Sequence, residues 1–356
     1  MTSANTLGPG TQVRGRGTYT LGAEIGRGGQ GAVFMLHGHP QLVAKIYLQQ
    51  LGEGQIAKLQ LLVTKSQPSL TEISAWPQEL LTWPGSRHVI GFVMPAIQRA
   101  KPLHTFITPS DRMRIAPNAT FKTLMAIGSN IARAVTTFHQ TGCVIGDMNW
   151  ANILILPDGR VRIIDIDSIQ IGSKPHLRCP VGMEELTAPE LQGGRLARVT
   201  RKRGSDDFAL AVLIFQLLCV GRHPHSGNGD MPLGKAITKR RHALRRFNRS
   251  SPLHKVGLPP RSFLAPELVV LFRRAFAPWP WQTRPSAMEW TNALEDGAAI
   301  LVTCKRNTAH LYPPSVRRCP WCGLEKRRRP SFFTPTRQTP SASAGRRLLG
   351  GLLGSR

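Results

Sequence analysis

The sequence predicts an α+β protein with a strand-rich N-terminal part, a longer helical part and a small cysteine-rich module near the C-terminus. Three observations carry this reading. Between Tyr19 and Tyr47, short alternating runs are separated by turn residues. From Leu124 onward, apolar residues recur at helical spacing, and Phe208 to Val220 is almost wholly apolar. Of the six cysteines, Cys304, Cys319 and Cys322 crowd together near one end, whereas Cys143, Cys179 and Cys219 lie singly.

Each element follows from its local pattern. Residues 1–17 are polar and Gly-rich and read as a flexible extension. The runs TYTLGAEI, AVFML and LVAKIY, joined by a glycine loop and by His37-Gly38-His39-Pro40, indicate an antiparallel sheet. A helix is predicted over Gln55 to Val63, and a strand over Val89 to Met94 that Pro95 ends. Leu124, Ile127, Ile131, Val135 and Phe138 mark one face of a helix that Gly142 stops. Asn152 to Asp165 reads as a hairpin with Pro157-Asp158-Gly159 at its turn. Phe208 to Val220 is predicted to be a helix buried on every side. A last helix is expected at Glu289 to Leu301, and the Arg-, Pro-, Ser- and Gly-rich chain from Arg327 is expected to be disordered.

A net charge of +27 over 356 residues is extreme. It concentrates in Arg195 to Arg203, in Lys239 to Arg249 and from Arg317 onward. Such a surface fits an anionic partner or is simply solvated, and no aromatic-interleaved nucleic-acid motif accompanies it. No stretch reaches the roughly 18 to 20 apolar residues of a membrane span. The first residues lack the apolar core of a secretory signal, so the expected location is cytoplasmic.

Three constellations carry chemistry. Gly26-Arg27-Gly28-Gly29-Gln30-Gly31-Ala32-Val33 lies between two predicted strands, where glycines let backbone amides approach phosphate oxygens. In a dinucleotide fold such a loop joins strand to helix; here it joins strand to strand, and Val43-Ala44-Lys45-Ile46 follows. After the long helix comes Gly146-Asp147-Met148-Asn149-Trp150-Ala151-Asn152, with Asp and Asn five positions apart. Asp165, in Ile164-Asp165-Ile166-Asp167, ends the hairpin. Farther on stand Thr187-Ala188-Pro189-Glu190, Asp206 and Arg284.

In this order the residues resemble the eukaryotic-type protein kinase superfamily over roughly Leu21 to Leu301. The resemblance implies a bilobal protein kinase-like fold: an N-lobe at 18–95, a C-lobe at 96–301, a zinc ribbon at 302–326 and a basic tail at 327–356. It implies ATP and Mg (or Mn) as cofactors, with Gly26, Gly28, Gly31, Val33, Lys45 and Met94 around the nucleotide. Asp147, Lys45, Asn152 and Asp165 take the catalytic positions, Asn152 and Asp165 as metal ligands. Glu190 is expected to pair with Arg284, and Asp206 to bond the backbone of the catalytic loop. The implied reaction is transfer of the γ-phosphoryl group to a serine or threonine hydroxyl of a protein substrate. Within the superfamily, V-I-G-D-M-N-W-A-N, I-D-I-D-S-I-Q, T-A-P-E-L-Q and C-P-W-C resemble a bacterial subgroup linked to tellurite resistance. Its kinases accompany a von Willebrand A-domain protein and a metal-dependent phosphatase.

Departures from the pattern leave two other classes open: a nucleotide-binding pseudokinase scaffold, and a nucleic-acid-associated zinc-ribbon protein. Ile145-Gly146 replaces the usual His-Arg, Asn149 replaces a lysine, and Asp167 stands where D-F-G has glycine. Between Gly54 and Ser69 no acidic residue is available to pair with Lys45; Glu53 is early, Glu72 late, and Gln55 or Gln60 can offer only a hydrogen bond.

Cys304-x5-His310-x8-Cys319-x2-Cys322 has the spacing of a closed four-ligand structural zinc site. A redox C-x-x-C is the alternative, but it belongs to a βαβ context that is absent here.

Overall fold

The computed structural model describes residues 7–226, 230–242, 244, 263–276, 283–326 and 331–334. Its first part is a closed antiparallel barrel. Strands β1 (Gln12–Arg14), β2 (Thr18–Arg27), β3 (Gly31–Leu36) and β4 (Leu42–Tyr47) precede helices α1 (Glu53–Thr64) and α2 (Pro68–Thr71). Strands β5 (Glu79–Thr82) and β6 (Val89–Pro95) then complete the order β1-β2-β3-β4-β6-β5. Alternation sends Val13, Leu21, Phe34, Ile46, Leu81 and Val93 into one interior. Gly91 on β6 permits the close pairing with β4, because a Cβ there would lie 2.1 Å from the Lys45 carbonyl oxygen.

Residues 1–17 are therefore not wholly a flexible extension. Val13 is fully buried, and β1 pairs with β2 and, through Arg14 opposite Thr82, with β5. One apolar residue among polar neighbours gave little sequence signal, yet it closes the barrel.

The helical part begins with β7 (Lys101–Pro102), α3 (His104–Ile107), α4 (Pro109–Ile115) and α5 (Phe121–Gln140). The β8 (Ile153–Ile155) and β9 (Val161–Ile163) hairpin follows, in a three-stranded sheet with β7. Helices α6 (Arg203–Leu218), α7 (Leu233–Thr238), α8 (Pro266–Ala275) and α9 (Ala287–Ala299) complete the core. The five residues that marked the α5 face are all buried, and Thr120 caps the helix by accepting from the Thr123 amide. Every residue of α6 from Phe208 to Leu218 is buried. Gly128 on α5 sits where a Cβ would meet Leu294 of α9 at 3.2 Å, so these helices cross closely.

A short module ends the described chain: β10 (Val302–Thr303), β11 (Leu311–Tyr312) and α10 (Pro320–Glu325). It is anchored to the helical core. Trp321, 1% exposed, lies 5.3 Å from the rings of both Phe121 and Phe263. Phe332 and Phe333 cover it, and buried Arg112 donates to the Phe332 carbonyl at 2.7 Å and lies 5.3 Å from the Phe333 ring. The expectation of disorder from Arg327 is thus corrected for Ser331 to Thr334, where two adjacent phenylalanines find an apolar wall. The rest of the basic tail and most of Lys239 to Arg249 lie outside the described residues. Among the described residues, no helix is long and apolar enough to cross a membrane.

Candidate active site and metal centre

A cleft of about 530 Å³ separates barrel and helices. Gly26 of β2, Gly28 of the turn, and Gly31 and Val33 of β3 line its roof, with Lys45 on β4 and Met94 near the end of β6. Asn152 and Asp165 form its floor. All six residues expected around a nucleotide therefore meet in one cleft. At Gly28 and Gly29 an added Cβ would meet nothing, whereas at Gly31 it would lie 2.7 Å from the Ile46 carbonyl.

The floor is set by the β8–β9 hairpin. The preceding loop is tied from below by Asp206, 1% exposed, whose carboxylate accepts the amides of Ile145 (2.7 Å) and Gly146 (2.9 Å) and faces His139 Nε2 at 3.0 Å. Asp147 follows. Its Oδ2 accepts from Asn149 Nδ2 at 3.1 Å and from Asn152 Nδ2 at 3.3 Å. Burial pushes the Asp147 carboxyl above its ordinary pKa, while the Asn149 hydrogen bond opposes the rise. Asn149 also accepts the amides of Ala151 and Asn152, so it shapes the loop through its side chain. Asn152 and Asp165 are drawn together by the Ile164 amide, which donates to the Asn152 carbonyl at 2.9 Å.

Asp165 is left-handed (φ 62°, ψ 41°), a conformation uncommon for a residue with a Cβ and concentrated at functional sites. It opens a 3₁₀ turn over Ile166–Ser168, which aims two carboxylates at one ammonium. Lys45 Nζ lies 2.9 Å from Asp165 Oδ1 and 2.8 Å from both oxygens of Asp167. The two glutamines of α1 do not reach it: Gln55 accepts the Gly52 amide as part of the helix cap, and Gln60 is exposed. Glu53 and Glu72 are exposed as well. The sequence had marked Asp167 only as a departure from D-F-G; its place beside Lys45 depends on a contact spanning 122 positions.

The other marks are in place. Glu190 receives both terminal nitrogens of Arg284 at 2.7 Å. Arg201 was not singled out by sequence. It is buried, and its guanidinium donates to the carbonyls of Gly146 and Val181, joining the Asp147 loop to the segment that follows Asp165. Gly146, at φ 76°, leaves room for it, since a Cβ there would strike Cys179 and meet Arg201.

The second cluster lies in the C-terminal module. The Cys304 amide donates to the His310 carbonyl across the β10–β11 hairpin, and Cys319 and Cys322 bracket the first turn of α10. Sγ of Cys322 is 3.7 Å from Sγ of Cys304 and 3.5 Å from Nδ1 of His310, which is 3.7 Å from Sγ of Cys319. Tetrahedral zinc, with bonds of about 2.3 Å to sulfur and about 2.0–2.1 Å to nitrogen, sets such atoms roughly 3.5–3.8 Å apart. The donor set therefore fits that ion. Burial holds the His310 imidazole below its ordinary pKa, and Glu325 opposes the shift. Glu325, which sequence missed, sits 3.1 Å from its Nε2 and fixes the tautomer that leaves Nδ1 free to ligate. Burial pushes the Cys319 thiol up to about 12, against a hydrogen bond from the Cys322 backbone that lowers it.

A glycine-roofed cleft with one lysine, one Asp–Asn loop and an aspartate facing that lysine at the end of a hairpin fits one class: a bilobal, kinase-type fold. The comparisons agree. Residues 19–293 match the protein kinase domain, and the chain belongs to that family. It is similar to the protein kinase YegI of Escherichia coli K12, at 34% identity over 318 residues, and to its counterpart in strain O157:H7, at 35% over 320. Each alignment covers 86% of this chain and 49% of the relative, so the chain spans about half the length of these curated relatives. Protein kinase C-like 1 of Saccharomyces cerevisiae is 28% identical over 113 residues, 31% of this chain and 9% of the yeast protein.

Proposed function

We propose that this chain is an ATP-dependent protein kinase that phosphorylates serine or threonine hydroxyls, with residues 18–95 and 96–301 as its lobes. The observation that carries the reading is that Lys45, Asn152 and Asp165 line one glycine-roofed cleft, with Asp147 bonded to Asn152 beside it. Phosphoryl transfer asks mainly for positioning and charge neutralisation. In this reading the backbone of Gly26 to Gly31 and the Lys45 ammonium hold the phosphates. Asn152 and Asp165 would hold Mg or Mn, which supplies charge neutralisation at the transferring group when bound. Asp147 accepts the proton of the incoming hydroxyl, and its carboxylate is aimed by Asn149 and Asn152. A scaffold that had lost catalysis would be free to lose any of these four groups, and all four are present.

The Cys304, His310, Cys319 and Cys322 cluster is proposed to hold one structural zinc, with all four ligand positions filled by protein. The subgroup resemblance makes a von Willebrand A-domain protein and a metal-dependent phosphatase the first partners to test by co-purification. An acidic partner for the basic tail is tested by the salt dependence of its retention.

Autophosphorylation with labelled ATP and Mg or Mn tests the kinase reading. Wild type is expected to incorporate label and Asp147→Asn to incorporate it about 10²–10⁴-fold more slowly, with nucleotide binding retained. Equal incorporation by both would overturn the enzyme reading.

A further inference from the structure

In protein kinases the strand lysine is held toward the phosphates by a glutamate on the helix that follows it. Here the one glutamate of α1, Glu53, is exposed in its first turn. The one buried charged residue of α1 is Lys58, 7% exposed, which donates to the Arg178 carbonyl at 3.1 Å. Helix α1 also packs closely on the segment after Asp165, since a Cβ at Gly54 would lie 2.8 Å from His176 Cβ. Burial holds the Lys58 pKa below the ordinary lysine value, and the charges of Asp167 and Asp165 oppose that only in part. The helix thus holds the segment and leaves Lys45 without a helical partner.

Asp167 fills the gap. Its side chain is 7% exposed, against 40% for Asp165 and 11% for Lys45. Both its oxygens sit 2.8 Å from Lys45 Nζ, and Oδ2 also accepts from the Tyr47 hydroxyl at 2.5 Å. Lys45 and Tyr47 are two apart on β4 and therefore share a face. One strand face grips one desolvated carboxylate with three charge-assisted or short hydrogen bonds. Asp165 gives Lys45 a single oxygen and keeps the rest of its carboxylate open to the cleft. Burial and Asp167 together keep the Tyr47 phenol protonated.

We infer that Asp167 is the positioning residue that supplies the ion pair for Lys45, in place of a helix glutamate. This deepens the kinase reading and rests on it for its use in catalysis. Partner and metal aspartate then stand two residues apart on one 3₁₀ turn. A displacement of α1 leaves the pair whole, whereas a displacement of the Ile166–Ser168 turn removes both at once.

The test is a double-mutant cycle in nucleotide affinity, using the full chain and Mg-ATP. Asp167→Asn and Lys45→Met are made singly and together, with thermal unfolding recorded for each. Asp167→Asn is expected to weaken binding on the order of tenfold to a hundredfold when Lys45 is present, and to add nothing once Lys45 is methionine. The KM for ATP should rise by the same factor, while the KM for the protein substrate is unchanged. Should Asp167→Asn fail to fold, Asp167→Gly replaces it in the same cycle. Equal weakening in both lysine backgrounds, or binding like wild type, would overturn the inference. So would tighter binding, which would show Asp167 withholding Lys45 from the nucleotide. Coupling seen in binding by a wild type that transfers no phosphate would uphold the pairing and remove the kinase reading instead.

Discussion

The cleft and the cysteine module bring charged or ionisable groups equally close, by opposite routes. The module's four ligand atoms lie within 4.8 Å of one another and come from 19 consecutive positions, 304 to 322. The cleft gathers Lys45 and Asp167 across 122 positions and ties its loop to Asp206 across 60. A locally closed site leaves its geometry in the spacing of its residues. A site closed by the fold leaves only residue types, and its pairings are settled when distant elements meet. The comparison also concerns stability: thiols crowded without a cation repel as they ionise, whereas the cleft's carboxylates already face an ammonium.

The largest expected effect would break the idea that the module stands apart. The purified protein should carry one zinc, and Cys319→Ser or Cys322→Ser should release it, as elemental analysis reads directly. Structural zinc contributes on the order of 10 kcal/mol to small modules. Trp321, seated between Phe121 and Phe263, couples the module to the helical core. Metal removal should lower the unfolding temperature of the helical part too, and separate, unshifted unfolding of that part would refute the coupling.

In the cleft, Asp147→Asn and Asp165→Asn should differ. Both should reduce transfer by about 10²–10⁴-fold, but only Asp165→Asn should also lose metal-dependent nucleotide binding. Fluorescent-nucleotide titration with and without Mg separates them, and identical binding losses would mean that the two aspartates share one role.

Trp321→Ala isolates the contact between the regions. Removing a buried tryptophan should destabilise the chain by about 3–5 kcal/mol, measured by denaturant unfolding, while zinc content stays at one per chain. Loss of zinc in this variant would show that the ion depends on docking as well as on its ligands.

A smaller effect concerns pH. Asp147 must be ionised to accept a proton, so transfer should rise with pH through a midpoint above the ordinary aspartate value, in the direction burial imposes. Asn149 stabilises the charged form by its hydrogen bond, so Asn149→Ala should move the limb further up in pH. A limb that moves down would show Asn149 to act otherwise.

The smallest effect is none. Arg201 joins Gly146 to Val181 through carbonyl bonds, so no phosphate is needed to tie that segment to the Asp147 loop. Ser173 and Thr187 changed together to alanine should leave the initial rate on an added substrate unchanged. A lag in dephosphorylated wild type that ends as Ser173 or Thr187 regains phosphate would contradict this.

By itself the sequence determined the strand-then-helix order, the buried α6, the α5 face, the hairpin that carries Asp165, and the grouping of Cys304, His310, Cys319 and Cys322 in one short module. Each of these is written in a period, a turn or a spacing within a few dozen residues, where local geometry fixes what can meet. Only the tertiary structure decided that Val13 closes the barrel, that Asp167 rather than any helix residue meets Lys45, that Arg201 spans the Gly146 gap, and that Trp321 fastens the module to the core. Those outcomes turn on which desolvated charge finds a partner and which apolar side chain finds a wall. Burial makes that choice among elements far apart in the chain, and no local pattern records it.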